Sequence, residues 1–263
     1  MSEFLVKLSN GVSMFVPGSL QSISTYVLLE QEAWFEKEVT FIERWARPGM
    51  TVIDIGANLG VYSLKLARRV GPLGRVFAYE PGSAPRALLR KSAELNRCDN
   101  LEVIAAALSD GEREGRLAGG SSSEYGSLGG VGAGQDGGDG ESVQVTTLDL
   151  EEPRRAWASP DFVKIDAEGE EERILRGGLT FFARHSPLVM FEYNAAEPTV
   201  NESVRLAFPT MGYRVYRLLA GAPVLVPVLP GEIMDQFEIN LFAAKPDRAQ
   251  ALAQEGVPRR DGG

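Results

Sequence analysis

The sequence predicts an α/β fold: a doubly wound, mostly parallel sheet with helices on both faces and an antiparallel hairpin at its C-terminal end. Three observations carry this. Short apolar runs alternate with stretches of helical periodicity, a glycine-punctuated turn follows the first fully apolar run, and several runs end in a carboxylate. The alternation is the signature of βαβ units. The carboxylates mark the edge of the sheet where such folds bind ligands.

The elements follow in order. Residues 1–48 read as an N-terminal helical or cap segment, because Trp34, Phe35, Val39, Phe41, Ile42 and Trp45 recur at roughly helical spacing between Ser24 and Arg47. That helix either caps a ligand or simply packs on the sheet. Pro48 and Gly49 then punctuate the entry to a main domain over residues 49–246. Val52, Ile53 and Ile55 form a strand buried on both faces, after which the chain turns through Gly56 and Gly60 into a helix from Val61 to Arg69. Val76 to Glu80 is the second strand, Arg86 to Leu95 the second crossover helix, and Leu101 to Leu108 the third strand.

Glycine and serine dominate residues 115–142, which predicts a long mobile loop, either a lid or plain disorder, with Ser122, Glu124 and Tyr125 as its chemically interesting residues. Val143 to Leu148 is extended again. Phe162 to Ile165 is a buried strand that ends in Asp166 and Glu168 and opens a helix at Glu171. A further strand, Pro187 to Asn194, again ends in a carboxylate, Glu192, and an amide, Asn194. Tyr213 to Leu219 and Glu238 to Ala244 form the closing hairpin, and residues 247–263 are a polar tail.

The turn after the first strand reads as a nucleoside-cofactor site. Glycine removes the β-carbon that blocks close approach, and the amides of the following helix start favour a carboxylate or phosphate. A carboxylate ending the second strand, Glu80, suits two ribose hydroxyls. A dinucleotide site needs G-x-G-x-x-G, yet Asn58 stands at the second glycine and none follows Gly60 at the third. Asp54 would repel a pyrophosphate but attract the ammonium of a methionine moiety, directly or through water. The pattern therefore favours S-adenosylmethionine over a nicotinamide cofactor.

Asp166 and Glu168 project toward the reactive end of such a cofactor, or else serve only as helix caps and favourable first-turn charges. Glu192 and Asn194 suit substrate hydroxyls. Glu192 with Asp166 and Glu168 would also suit a hard divalent cation, the lesser of the two readings. His185, the single histidine, sits at a helix end before a strand and reads as structural.

Composition narrows the class. At 263 residues and 44% hydrophobic content the chain can bury one large core. A net charge of −9 argues against a sequence-independent grip on nucleic acid, which needs a basic stripe. One cysteine, Cys98, excludes an intramolecular disulfide, and no leader or membrane-spanning stretch is visible, which together predict a cytoplasmic protein acting on a small molecule.

The motifs V-I-D-I-G-A-N-L-G, G-R-V-F-A-Y-E-P, A-A-L-S-D, T-L-D at Thr147 to Asp149, F-V-K-I-D-A-E-G-E-E and N-L-F-A from Asn240 resemble the FkbM family of S-adenosylmethionine-dependent methyltransferases. The resemblance implies the seven-stranded class I fold and methylation of a hydroxyl on a sugar or natural product. It implies that Asp54, Gly56, Ala57, Asn58, Gly60, Glu80 and Pro81 line the cofactor. Ala107 and Leu108 would lie near the adenine, and Asp166 and Glu168 near the transferred methyl. Where many relatives carry histidine after E-G, this chain has Glu170. Carboxylates would then act as base, in the order Glu168, Asp166, Glu192. N-methylation of a small amine, or a binding or dimerisation module that keeps only the fold, are the alternatives.

Overall fold

The computed structural model describes residues 2–117, 140–157, 159–193, 198–219, 221–229, 231–232, 234–235, 238–255 and 257. It begins with a hairpin that the sequence reading did not anticipate, β1 (Glu3–Lys7) against β2 (Ser13–Pro17). The expected single helix over residues 24–47 is two, α1 (Ile23–Gln31) and α2 (Lys37–Trp45). Ser22 caps α1 by accepting the Thr25 amide, and Glu32 ends it in the left-handed region at φ 50°. No glycine or proline marks that break, so periodicity alone ran through it.

The doubly wound core follows as expected: β3 (Thr51–Ile55), α3 (Val61–Val70), β4 (Arg75–Tyr79) and α4 (Ser83–Leu95). The predicted third strand is a correction. Its first half, β5 (Leu101–Ile104), pairs with β4, whereas β6 (Ala106–Leu108) leaves for a second sheet. The apolar run through Ala105–Ala107 hides the change of partner. In that small sheet β6 pairs in parallel with β8 (Glu141–Thr146), which also pairs antiparallel with β7 (Arg113–Leu117). Ser122, Glu124 and Tyr125 lie outside the described residues.

The chain continues through α5 (Leu148–Arg155), β9 (Phe162–Ile165), α6 (Glu171–Arg176), α7 (Leu179–Arg184), β10 (Leu188–Glu192) and α8 (Pro198–Thr210). It ends with β11 (Arg214–Leu218), β12 (Leu225–Pro227), β13 (Asn240–Ala244) and α9 (Pro246–Gln254). The expected polar tail is thus helical to Gln254, with Ala249, Leu252 and Val257 buried. Polar residues on its outer side masked that inner stripe.

The main sheet runs β12-β11-β13-β10-β9-β3-β4-β5. The five strands from β10 to β5 are parallel, and β13, β11 and β12 are antiparallel. The expected seven strands are there, with the three-residue β12 as an eighth at the edge. Alternate residues of each strand feed two cores. Val52, Ala78, Phe162, Met190 and Phe242 face α2, α3 and the N-terminal hairpin, while Ile53, Phe77, Val163, Val189 and Leu241 face Trp157, Phe181 and Phe208. The hairpin is tied to α4 by amide bonds from Phe15 to Ser92 Oγ and from Ser13 to Asn96 Oδ1.

Candidate functional site

Strand register assembles the site. Ile55 lies beside Tyr79 and Ile165, and Ile165 beside Phe191, so the next residues form one row across four adjacent strand ends: Glu80, Gly56, Asp166 and Glu192. Asp54 and Lys164 are paired in the register two residues further in. Residues two apart share a face, so Asp54, Lys164, Asp166, Glu80 and Glu192 all point to the side covered by α2 and α3.

The turn after β3 is built on close approach. A β-carbon on Gly56, at φ 75°, would lie 1.7 Å from the Asp166 carbonyl oxygen, and one on Gly60, at φ 85°, would lie 2.2 Å from Leu89 Cδ1. The glycines let β9 and α4 come near, so close packing within the protein itself requires them. Asn58 adopts φ 49°, a region its short amide tolerates. The Gly56 and Ala57 amides both donate to the Tyr79 carbonyl at 3.0 Å, which locks the turn to β4.

Glu80 is buried, and each carboxylate oxygen accepts one amide, from Asn58 at 2.8 Å and from Gly82 at 2.7 Å. Burial pushes its carboxyl up to about 6 against those two bonds. Pro81 follows it, and the carbonyls of Glu80 and Pro81 both accept from Arg86. Glu141, at the base of β8, accepts from the Ser83 amide and hydroxyl, so the small sheet is tied to the chain just after Glu80.

Asp54 is almost fully buried. Its Oδ2 accepts from Ser63 Oγ at 2.5 Å, while Oδ1 has no hydrogen-bond partner and lies 3.8 Å from the Lys164 ammonium. Burial raises its carboxyl despite Lys164 and Ser63. Lys164 also bonds Asp166 Oδ2 at 2.8 Å and sits 5.3 Å from the centre of the Tyr62 ring. Its buried ammonium is held charged: burial alone would lower its proton affinity, but Asp166 and then Asp54 outweigh it.

Beyond Asp166 the chain bends through Glu168 at φ 51°, strained for a residue of this type. Glu168 is exposed on one side, yet desolvation, then the charges of Asp166 and Glu171, push its carboxyl up to about 7. Open solvent on that side screens part of this effect. Glu192 is partly buried, and burial followed by Asp166, Glu171 and Glu168 pushes it up to about 8. Glu171 has a different task, accepting from the Ala167 and Gly169 amides and so fixing the bend.

Glu36, Tyr62, Asn240 and Lys164 at this edge were not foreseen. Glu36 accepts from Trp34 Nε1 at 2.7 Å, Tyr62 OH at 2.5 Å and Asn240 Nδ2 at 3.1 Å, and Asn240 lies directly opposite Glu192 in the register. Lys164 was legible as a charge inside a strand buried on both faces. Glu36 carried no local signal.

Ala107 is buried against Leu117, Val143 and Val145 in the small sheet, and Leu108 packs in the larger core. Asn194 lies outside the described residues. His185 sits at the end of α7, at the opposite edge of the sheet, with Nε2 2.8 Å from Glu152. Asp149, in the T-L-D motif, caps α7 through the Thr180 and Phe181 amides. Among the described residues no group of three or more His, Cys, Asp or Glu is placed to hold a metal ion, including Asp166, Glu168 and Glu192. No described helix is long and apolar enough to cross a membrane.

A family model described as the Methyltransferase FkbM domain matches residues 54–215, well over half of the chain and including the whole acid row. The chain belongs to the FkbM methyltransferase family. It is 37% identical over 93 residues to the AMB antimetabolite synthetase AmbE of Pseudomonas aeruginosa, a match covering 33% of this chain and 4% of AmbE. Among solved structures it is similar to methyltransferase FkbM from Methylobacillus flagellatus, with a TM-score of 0.48 at 15% identity over 76% of this chain and 44% of that one. An S-adenosylmethionine-dependent O-methyltransferase from Thermotoga maritima gives a TM-score of 0.48 at 15% identity, covering 98% of this chain and 79% of that one. The chain thus spans under half the length of the first FkbM structure and a small fraction of AmbE.

The FkbM match begins at Asp54, so Trp34 and Glu36 lie outside it.

Proposed function

We propose that this chain transfers a methyl group from S-adenosylmethionine to a hydroxyl of a small molecule, a sugar or another natural product. The carrying observation is the row of Glu80, Gly56, Asp166 and Glu192 across four adjacent parallel strand ends, with Asp54 just inside it. Ligands of open α/β sheets bind outside the carboxyl ends of the strands.

The donor set fits the cofactor. Asp54 Oδ1 is buried without a hydrogen-bond partner, a state that is costly until a cation or water meets it, and the cofactor's ammonium supplies one. Glu80 spends one acceptor position of each oxygen on an amide, and a carboxylate offers about four, so two remain for ribose hydroxyls. α3 starts at Gly60 without a side-chain cap, which leaves first-turn amides for the amino-acid carboxylate.

Bound S-adenosylmethionine supplies an electrophilic methyl on a sulfonium. The chain's own work is to hold the acceptor oxygen in line and take its proton. Glu192 and Glu168, raised to about 8 and about 7, are stronger proton acceptors than ordinary carboxylates once ionised, Glu168 being about half ionised near pH 7 and Glu192 near pH 8. The new carbon–oxygen bond would form as the methyl–sulfur bond breaks and leaves its pair on sulfur, while the O–H pair would stay on oxygen and its proton would go to the carboxylate. Asp166, tied to Lys164, orients rather than accepts. This reverses the order expected from sequence, in which Asp166 stood ahead of Glu192. The match to an antimetabolite synthetase supports a natural-product acceptor.

Calorimetric titration with S-adenosylmethionine tests the reading. The wild-type chain is expected to bind at micromolar concentration, and Asp54→Asn to bind about 100-fold more weakly. Equal affinity in the variant would remove Asp54 from the site.

A further inference from the structure

We propose that the segment Trp34–Glu36 is the acceptor-binding wall of this site, with Phe35 as a stacking surface for an acceptor that carries a flat apolar face beside its hydroxyl.

Glu36 anchors the segment to three places at once: its own Trp34, Tyr62 of α3 and Asn240 of β13. Both contacts outside the segment lead to the acid row. Tyr62 carries the Lys164 ammonium over its ring, and that ammonium holds Asp166, while Asn240 faces Glu192 across the β10–β13 pair. On the other side Lys37 pairs with Glu238 at 2.8 Å, just before β13. The segment is therefore fixed from both sides against the edge that holds the raised carboxylates.

Within this fixed segment one ring is left uncovered. Trp34 packs against the core, but Phe35 is 54% exposed, its ring centre 5.0 Å from that of Trp34 at an interplanar angle of 42°. Single exposed apolar residues are ordinary on protein surfaces. This one differs because its neighbours on both sides, Trp34 and Glu36, are immobilised, so the ring loses little freedom when something stacks on it. Aromatic faces bind flat apolar faces, whether an aromatic ring or the C–H face of a pyranose. The wall precedes the residues matched by the family model, which begin at Asp54. The proposal rests on the methyl-transfer reading only for what the bound molecule then undergoes.

The test measures binding without turnover. Trp45 and Trp157 are buried and Trp34 is not, so a small molecule on the wall is read by tryptophan fluorescence, with Trp34→Phe as the control that silences it. Catechol and methyl β-glucopyranoside are the two flat-faced probes, and glycerol the hydroxylated probe without a face. A saturable change is expected with at least one flat probe and not with glycerol, and which probe responds distinguishes an aromatic from a sugar acceptor. Phe35→Ala is expected to weaken it about tenfold, and Phe35→Tyr to restore it to within about twofold. Unchanged affinity in Phe35→Ala, an equal response to glycerol, or no response to any probe overturns the wall. Calorimetry with S-adenosylmethionine on the same samples separates the two readings: its failure in the wild type sinks methyl transfer, while the fluorescence still judges the wall.

Discussion

Carboxylates at two places in this molecule meet opposite surroundings. Under the sheet, Glu151 accepts from Tyr79 OH at 2.8 Å, Arg155 Nε at 2.9 Å and Arg154 Nη1 at 3.2 Å, and Glu152 accepts from Arg184 and His185. Burial alone would raise both, but these donors outweigh it and hold both carboxyls below the ordinary 4.5. At the carboxyl edge, Asp54, Glu168 and Glu192 are all raised, and one oxygen of Asp54 has no hydrogen bond. The first region is complete within the chain. The second has acids in excess of its cations, which is what a site reserved for an incoming cation and a proton requires.

The strongest way to break the contrast is to remove the one buried cation at the edge. Lys164→Met leaves Asp54 and Asp166 unpaired and is expected to destabilise the fold by about 3–5 kcal/mol near neutral pH. The sign with pH follows. Without Lys164 the already raised Asp54 carboxyl rises further, so the folded state keeps a proton that the unfolded chain has released, and stability falls as pH rises. Urea unfolding should show a wider gap to wild type at pH 8 than at pH 5, and equal gaps would mean Lys164 acts through packing alone.

Next is Glu192→Gln, which keeps the shape and removes the proton acceptor. Turnover of a methylated acceptor is expected to fall about 100-fold with S-adenosylmethionine affinity nearly unchanged. Wild-type turnover should rise with pH as Glu168 and Glu192 ionise and level off above about 8. A variant that keeps both rate and profile would move the base to Glu168.

The smallest effect comes from the satisfied region. Glu151→Gln is expected to cost about 1–2 kcal/mol, because its arginine partners are partly open to solvent and only part of their pairing is lost. Here the sign is reversed. A depressed carboxyl contributes stability above its unfolded value of 4.5 and loses it as pH falls, so the deficit of this variant should shrink in acid. Urea midpoints at pH 7 and pH 3 measure it, and a deficit that grows in acid would contradict the pairing.

The order of strands and helices from Thr51 to Leu95, the strands ending at Asp166 and Glu192, and the closing antiparallel strands could all be read from the chain. Each is announced locally, by an apolar run of strand length, a glycine turn or a terminal carboxylate. The split of residues 101–108 between two sheets could not, because an alanine run gives no sign of where its hydrogen-bond partner changes. Nor could the N-terminal hairpin or α9, whose apolar residues gain meaning only once α4 and the sheet are there to bury them.

The same division runs through the site. The sequence by itself determined which acids stand at strand ends, since a carboxylate that closes a buried strand must emerge at the sheet's edge. Only the tertiary structure decided which of them are paired. Register put Asp54 beside Lys164, and the strand's two-residue repeat put Asp166 on the same face, so both acids pair with one buried ammonium. It also brought Glu36 onto Tyr62 and Asn240 from 26 and 204 residues away. Charge and proton affinity are set over a few ångströms, and no local pattern in a sequence encodes a neighbour that far along the chain.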